Sequence, residues 1–332
     1  MKQDLVIRVV MLGVRTEEKQ LASMVEIQPS FFHFHAEQKP YQCAECIYST
    51  AVELDWFKHQ QSPVHAAYDF ELSKLEGCLS LVVPYPFTLI AVHATMDGHK
   101  IEPRPDPLDM SYKRLYEAAD LFPPVYRRPW FSSLFTKDAA TVLHSYLRAL
   151  RKRPNARINS LLLALRWFSK GTGESNPYDR FMSFWIAFNV LYKPYQPGNP
   201  SQQSAIVNYV QQQFKPRMAR RYYASCKGYI QKLTAMNLVL RSSKQVSADL
   251  SALLSARRLD YPKIINEVAL GLYAIRNNLF HGDYRFGGEE HTDAVSSGEK
   301  LLCELLRHLF ALLILRRQLP TTKTVRETRL PG

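Results

Sequence analysis

The chain has 332 residues, a length typical of about two domains. Its composition, with 46% hydrophobic and 22% charged residues, excludes a disordered or collagen-like chain and predicts globular domains with buried cores. Lysine and arginine outnumber aspartate and glutamate by 43 to 30. The resulting net charge of +13 favours a polyanionic partner: RNA, DNA or an anionic membrane surface.

Cysteine usage and hydropathy together predict a cytoplasmic protein without a membrane partner. The five cysteines, an odd number in a chain of this length, do not form the pattern of a disulfide framework. The stretch 1–14 is interrupted by Arg8 and lacks a small-residue cleavage site, so it predicts a strand rather than a secretory signal. The most apolar late run, 309–315, is too short to cross a bilayer.

The first region, residues 1–110, predicts mixed structure with a bias towards strands. Two runs, 5–14 and 79–95, are rich in β-branched and aromatic residues. The pair Asp97 and Gly98, which follows the second run, is typical of a hairpin turn.

Within this region, four residues have the spacing of a metal site. Cys43 and Cys46 are separated by two residues, and His59 and His65 follow after twelve and five residues. A tetrahedral Cys2His2 zinc site needs two thiolates on a tight turn and two imidazoles on one helix. The segment 39–65 resembles a C2H2 zinc finger, which implies a structural zinc ion held by these four side chains. The alternative is that buried cysteines and ordinary histidines match a loose pattern.

From about residue 111, apolar positions recur at three- and four-residue spacing, which predicts helices. The predicted helices are 137–151, 158–170, 178–193, 202–214, 217–240, 246–256, 262–281 and 295–318. The fold class is therefore α+β, with a small mixed, β-containing N-terminal region before a larger all-α bundle. We place a basic helical connector at 111–154, the helical domain at 155–320 and a basic tail at 321–332.

Positive charge is concentrated between residues 112 and 170. This segment holds twelve basic and three acidic residues, which accounts for +9 of the net charge. Such an excess favours contact with phosphates over an ordinary solvated surface.

A group of polar residues lies at the end of the predicted helix 262–281. Arg276, Asn277 and His281 form the pattern R-N-x3-H, and Gly282 then stops the helix. Histidine exchanges protons near neutral pH, and arginine can hold a phosphate and stabilise the charge that develops on it. Asn277 can position either group.

The helical region resembles the HEPN superfamily, whose ribonuclease members carry an R-x4-6-H motif, often with a polar residue directly after the arginine. Residues 178–192 (YDRFMSFWIAFNVLY) resemble the early helix of Apea-like HEPN domains, in which one polar residue, here Asn189, interrupts an aromatic-rich face. The resemblance covers about residues 155–320 and implies an all-α HEPN bundle.

This resemblance implies a metal-independent endoribonuclease with Arg276, Asn277 and His281 as catalytic residues. The ribose 2′-hydroxyl would be the nucleophile, leaving a 2′,3′-cyclic phosphate. The family pattern further implies a homodimer with a composite cleft. Substrate-binding residues at its rim would be Asn278, Asp283 and Tyr284. Such ribonucleases act as toxins or anti-phage abortive-infection effectors, which implies RNA as substrate and an inhibitor or antitoxin protein as partner.

Structural alternatives exist for each residue of the motif. His281 could interact with the helix C-terminus, Arg276 could pair with Glu267 or Asp283, and the asparagines could solvate the helix end. A second arginine–histidine pair, Arg285 and His291, lies in a glycine-rich stretch and is interpreted as coincidental.

At the level of function, two alternatives remain. In the first, a non-catalytic HEPN domain serves as a dimerisation and nucleic-acid-binding module, and the zinc finger is the functional part. In the second, the nuclease is active and the N-terminal region is purely structural, without metal.

Overall fold

The computed structural model describes most of the chain. The described residues are 2–12, 14–32, 41–83, 88–101, 133–134, 136–174, 176–193, 201–240, 242–280 and 289–315. The chain divides into two compact units, Met1–Ile158 and Asn159–Gly332. An antiparallel sheet characterises the first unit and helices the second, as an α+β fold requires.

The first unit contains a six-stranded antiparallel sheet. Its strands are β1 (Lys2–Leu12), β3 (Gln20–Ala22), β4 (Val25–Phe32), β5 (Tyr41–Glu53), β6 (Thr88–Met96) and β7 (His99–Ile101). Their order is β3-β4-β5-β1-β6-β7. Two short strands, β2 (Val14–Arg15) and β8 (Ser133–Leu134), pair in parallel.

The alternation of side chains along the strands defines one core face of this sheet. Leu5, Ile7 and Val9 of β1 are fully buried. On β5, Tyr48 lies opposite Ile7, and both are buried. Cys46 lies opposite Val9 and is also buried. Cross-strand partners share a face, so these five side chains belong to the same core.

The strand bias predicted over 79–95 holds only for its second part. Helix α1 (Pro63–Val82) covers its beginning, and β6 starts at Thr88. Leu75, Cys78 and Leu79 recur at helical spacing and are fully buried. Packing of this stripe therefore overrides the local strand preference of the residues around it.

The hairpin turn predicted at Asp97 and Gly98 is confirmed. These residues join β6 to β7 and have φ angles of 48° and 81°. Positive φ at both central residues is the geometry for which Asp-Gly is favoured. A hydrogen bond from the Asp4 backbone N–H to Asp97 Oδ1, at 2.8 Å, ties this turn to β1.

Helix α1 packs against β5 through three buried polar side chains. The Tyr48 hydroxyl donates a hydrogen bond to Glu71 Oε2 at 2.8 Å, and Lys74 Nζ donates to Glu71 Oε1 at 2.6 Å. Burial lowers the pKa of Lys74, and the charge of Glu71 opposes that shift. Helix α2 (Lys137–Ala149), from the predicted connector, belongs to the same unit and contacts α1, β3 and β4.

The second unit is helical in its described residues. Its helices are α3 (Ala156–Gly173), α4 (Pro177–Tyr192), α5 (Gln202–Gln213), α6 (Pro216–Thr234), α7 (Val246–Ser255), α8 (Tyr261–Phe280) and α9 (Glu289–Leu315). Helix α8 contacts α5, α6, α7 and α9, and α9 also packs against α4 and α6. Helix α8 therefore shares one core with α5, α6, α7 and α9, and this packing fixes the position of its ends.

The predicted helices are confirmed, and most of their ends lie within about three residues of the predicted positions. Two ends differ by more. Helix α6 ends at Thr234, although apolar residues continue to 240, because Val239 then forms an isolated β-bridge with Gln245. Helix α9 begins at Glu289 rather than at 295. Within the described residues, no helix combines the length and apolar character that a membrane crossing requires.

Candidate functional site

The predicted catalytic residues lie at the C-terminal end of α8. Ile265, Val268, Leu272 and Ile275 form its fully buried stripe. That stripe fixes the rotation of the helix and hence the direction of its last turn, which carries Arg276, Asn277 and Asn278. Residues His281, Asp283 and Tyr284 lie outside the described residues.

The guanidinium of Arg276 is held by two neighbours on its own helix. Nη1 donates a hydrogen bond to Asn277 Oδ1 at 3.0 Å. Cζ lies 4.1 Å from the centroid of the Phe280 ring, a distance typical of a cation–π contact. Nε is buried and has no hydrogen-bond partner among the described residues. The side chain is thus fixed in place while part of its donor capacity is unused.

Side chains of α4 and α5 lie near the last turns of α8. Tyr192, the last residue of α4, is fully buried and accepts a hydrogen bond from Gln202 Nε2 at 2.5 Å. Burial raises the pKa of Tyr192, whereas the Gln202 hydrogen bond and the charge of Arg276 lower it. The Tyr273 ring lies 6.1 Å from Trp185 of α4. Arg276 therefore sits at an aromatic junction of α4 and α8.

Two of the structural alternatives are tested by the described contacts. Glu267, a proposed partner of Arg276, instead accepts a hydrogen bond from Lys244 Nζ at 2.6 Å. Asn277 is only 8% exposed, so it contacts Arg276 rather than solvating the helix end. The other proposed partner, Asp283, lies outside the described residues.

Sequence reasoning missed Phe280 and Tyr192 as neighbours of Arg276. Phe280 lies four residues after Arg276, a spacing that places two side chains side by side on a helix, so this contact was accessible from the sequence. Tyr192 comes from a helix distant in the sequence, and only the tertiary fold brings its hydroxyl within range of the charge of Arg276. Phe280 is 54% exposed, which makes it an accessible aromatic surface at the site.

The described residues do not fit the predicted Cys2His2 zinc site. The segment 41–53 forms β5, one uninterrupted strand paired with β4 and β1, rather than a tight turn between two cysteines. Cys43 and Cys46 are three residues apart on this strand and therefore point to opposite faces of the sheet. Burial raises the pKa of both thiols, which favours their neutral form.

The two histidines of that pattern do not complete such a site either. His65, in α1, lies with its Nδ1 2.8 Å from the Ser62 hydroxyl, and His59 lies in an exposed turn. Among the described residues, no group of three or more histidine, cysteine, aspartate or glutamate side chains could hold a metal ion. Over the described residues 41–65, the chain forms a strand, a 3-10 turn (Leu54–Phe57) and the start of a helix, rather than the tight turn between cysteines that the zinc-finger interpretation requires.

No family model, curated protein or solved structure matches the chain.

Proposed function

We propose that the chain is a metal-independent endoribonuclease of the HEPN type. The observation that carries the proposal is the fixed guanidinium of Arg276 at the end of α8, with His281 following directly after this helix in the sequence. An arginine held by its neighbours can stabilise phosphate charge without first being ordered by the substrate.

Arg276 has donors available for a phosphate. One N–H of Nη1 is engaged by Asn277, whereas its second N–H and those of Nη2 form no hydrogen bond to the described residues. Hydrogen bonds from these charged donors to an anionic phosphate oxygen would be short and strong. Asn277 and the Phe280 ring hold the guanidinium plane while this contact forms.

In the proposed reaction, the ribose 2′-oxygen attacks the adjacent phosphorus, and the bond from phosphorus to the 5′-oxygen breaks. One imidazole accepts the 2′-hydroxyl proton, and a protonated imidazole gives a proton to the departing 5′-oxygen. In a homodimer, His281 from each copy would supply these two groups. The products are a 2′,3′-cyclic phosphate and a 5′-hydroxyl, and DNA is not cleaved because it lacks the 2′-hydroxyl.

The biological role that follows is that of a growth-arresting ribonuclease, as a toxin or an anti-phage effector, held inactive by an inhibitor or antitoxin protein. An unrestrained ribonuclease arrests growth, so we expect that expression of the wild-type chain stops cell division. Expression of a His281→Ala variant should leave cell division unaffected.

The first prediction concerns RNA cleavage in the presence of EDTA. The wild-type chain should cleave RNA, and His281→Ala should reduce the rate by at least about 100-fold, because general acid–base catalysis contributes about 100- to 10,000-fold. His291→Ala, in the second arginine–histidine pair, is the matched control and should retain activity. The rate and the chemistry of the product ends would be measured together.

Two outcomes would contradict this proposal. Equal cleavage by the wild type and His281→Ala would place the activity elsewhere. Cleavage of both RNA and DNA, or products with a 3′-hydroxyl, would exclude attack by the 2′-hydroxyl.

A further inference from the structure

Helix α6 carries a concentration of positive charge that the site at Arg276 does not use. Its sequence, PRMARRYYASCKGYIQKLT, contains five basic residues and no acidic residue. In the chain, Asp179 is followed by no further aspartate or glutamate until Asp249. The net charge of this whole stretch is therefore strongly positive.

The basic residues of α6 occupy the solvent face of the helix. Five side chains at helical spacing form the opposite, buried stripe: Ala219, Tyr222, Cys226, Ile230 and Leu233. The exposed basic residues are Arg217, Arg220, Arg221, Lys227 and Lys232. We call these five residues the basic face of α6. With about 1.5 Å of rise per residue, they extend over about 22 Å.

These charges are not neutralised within the described part of the chain. None of the five forms an ion pair there, in contrast to Lys244, which pairs with Glu267 and Asp249. The charge of Glu304 on α9 acts on Tyr222 and Cys226, which belong to the buried stripe. Five unpaired cations on one face raise the local positive potential and favour a polyanion.

Aromatic side chains flank the basic face. Tyr223 lies beside the ring of Tyr261 at the start of α8, with centroids 5.3 Å apart, and Tyr229 is 38% exposed. Arg257 and Arg258, just before α8, are exposed as well. Cations interleaved with half-exposed aromatic rings are the surface that single-stranded nucleic acids contact, through phosphates and through base stacking.

The basic face runs parallel to α8 towards the end that bears Arg276. Tyr223 contacts Tyr261, and ten residues further on, Leu233 Cδ1 lies 3.6 Å from the position that a Cβ on Gly271 would take. The two helices therefore run in the same direction. From Tyr261 to Arg276 the axial distance along α8 is about 22 Å. The C-terminal ends of α6 and α8 therefore lie at the same end of the second unit.

A membrane surface fits this helix less well. Helices that bind membranes insert an apolar face into the lipid, but the apolar stripe of α6 is buried against α8 and α9. The surface of α6 that is accessible to a partner is therefore polar and carries two tyrosines.

We infer that the basic face of α6 binds the phosphate backbone of single-stranded RNA. The choice of RNA depends on the proposed function, whereas the location of the surface depends only on α6 and its neighbours. The expected contact is electrostatic, so affinity should fall steeply with salt.

The test measures binding separately from cleavage. A fluorescent 2′-O-methyl oligoribonucleotide, which cannot be cleaved by attack of its 2′-oxygen, is titrated with the full chain at several salt concentrations. Arg220→Gln with Lys227→Gln should weaken binding about 10-fold. It should also lower the salt slope by about 1.4, because each phosphate contact on a single strand contributes about 0.7. The charge-matched control, Lys2→Gln with Lys58→Gln in the first unit, should bind as the wild type does.

Gly228 offers a second test that keeps the fold intact. It lies on the solvent face of α6, and a Cβ placed there would meet nothing within 4 Å. Gly228→Glu and Gly228→Gln have the same shape and differ by one negative charge in the middle of the basic face. The glutamate variant should bind the oligoribonucleotide several-fold more weakly than the glutamine variant.

Three outcomes would overturn the inference: equal affinity of the double variant and the wild type, equal affinity of the two Gly228 variants, or stronger binding to polyaspartate or to anionic phospholipid vesicles than to RNA. Loss of cleavage in His281→Ala with normal binding would support the two proposals separately. Binding without any cleavage by the wild type would overturn the proposed function and leave the RNA surface standing.

Discussion

At the scale of single residues, Lys74 is a charged side chain with only 1% of its surface exposed. Its Nζ lies 2.6 Å from Glu71 Oε1 and 4.1 Å from the centroid of the Phe70 ring. Removing one partner of a buried ion pair leaves an uncompensated charge and costs about 3–5 kcal/mol. We expect Lys74→Ala to lower the free energy of unfolding of the first unit by about 3 kcal/mol, measured by urea denaturation.

An exposed ion pair supplies the control for this variant. Lys2 and Glu53 lie 3.8 Å apart with 68% and 38% of their side chains exposed. Exposed pairs contribute about 0–1 kcal/mol, so Lys2→Ala should leave the unfolding curve nearly unchanged. Equal effects of the two variants would show that the Lys74–Glu71 pair does not stabilise the fold.

Part of the candidate site was predictable from single residues and their spacing, whereas the arrangement of the residues predicted to bind zinc was not. Arg276 and Asn277 were placed correctly at a helix end because helical periodicity is a local property of the sequence. The spacing of Cys43 and Cys46 suits a metal ion if the two residues lie in a tight turn, but not if they lie in a strand. The pairing of β5 with two neighbouring strands shows that they lie in a strand, and a local sequence pattern does not reveal that pairing.

At the scale of elements, α3 and α4 approach each other closely at Gly171. A Cβ on this residue would lie 2.6 Å from two atoms of the Phe184 ring. That ring is fully buried and lies 5.3 Å from Phe168 between centroids, so it cannot move aside without disturbing the core. We expect Gly171→Ala to destabilise the second unit by about 1–3 kcal/mol in thermal or urea unfolding.

Gly173, two residues later on the same helix, is the matched control. It is exposed, and an added Cβ would meet nothing within 4 Å. Because glycine is about 1 kcal/mol less favourable than alanine in a helix, Gly173→Ala should be neutral or slightly stabilising. A stabilising effect of both variants would contradict the close packing of α3 on α4.

Helices were predicted more closely than strands for a physical reason. A helix with one buried stripe repeats its pattern every few residues, so 178–193 and 262–281 identify α4 and α8 from the sequence alone. The run 79–95 mixes a helix end with a strand of similar apolar composition. Only the packing of Leu75 and Cys78 in the core reveals that α1 continues to Val82.

At the scale of the whole molecule, the net charge of +13 gives the size of the positive surplus but not the surface on which it lies. The predicted basic segment, 112–170, lies partly outside the described residues. The basic face of α6 does not stand out in the sequence because its charges are spread over about four helical turns among tyrosines and small residues. Their common direction becomes visible only when the buried stripe of α6 is known.

The division of the chain into two compact units predicts that the second folds by itself. Asn155 Oδ1 accepts hydrogen bonds from the backbone N–H groups of Arg157 and Ile158, at 3.1 and 2.9 Å, and so caps the start of α3. A fragment of residues 154–332 keeps this cap and should show a helical circular dichroism spectrum, cooperative melting and unchanged affinity for the 2′-O-methyl oligoribonucleotide. Asn155→Ala in the fragment should lower its stability by about 1 kcal/mol, the usual effect of losing such a cap. An unfolded fragment would show instead that the second unit depends on the first for its stability.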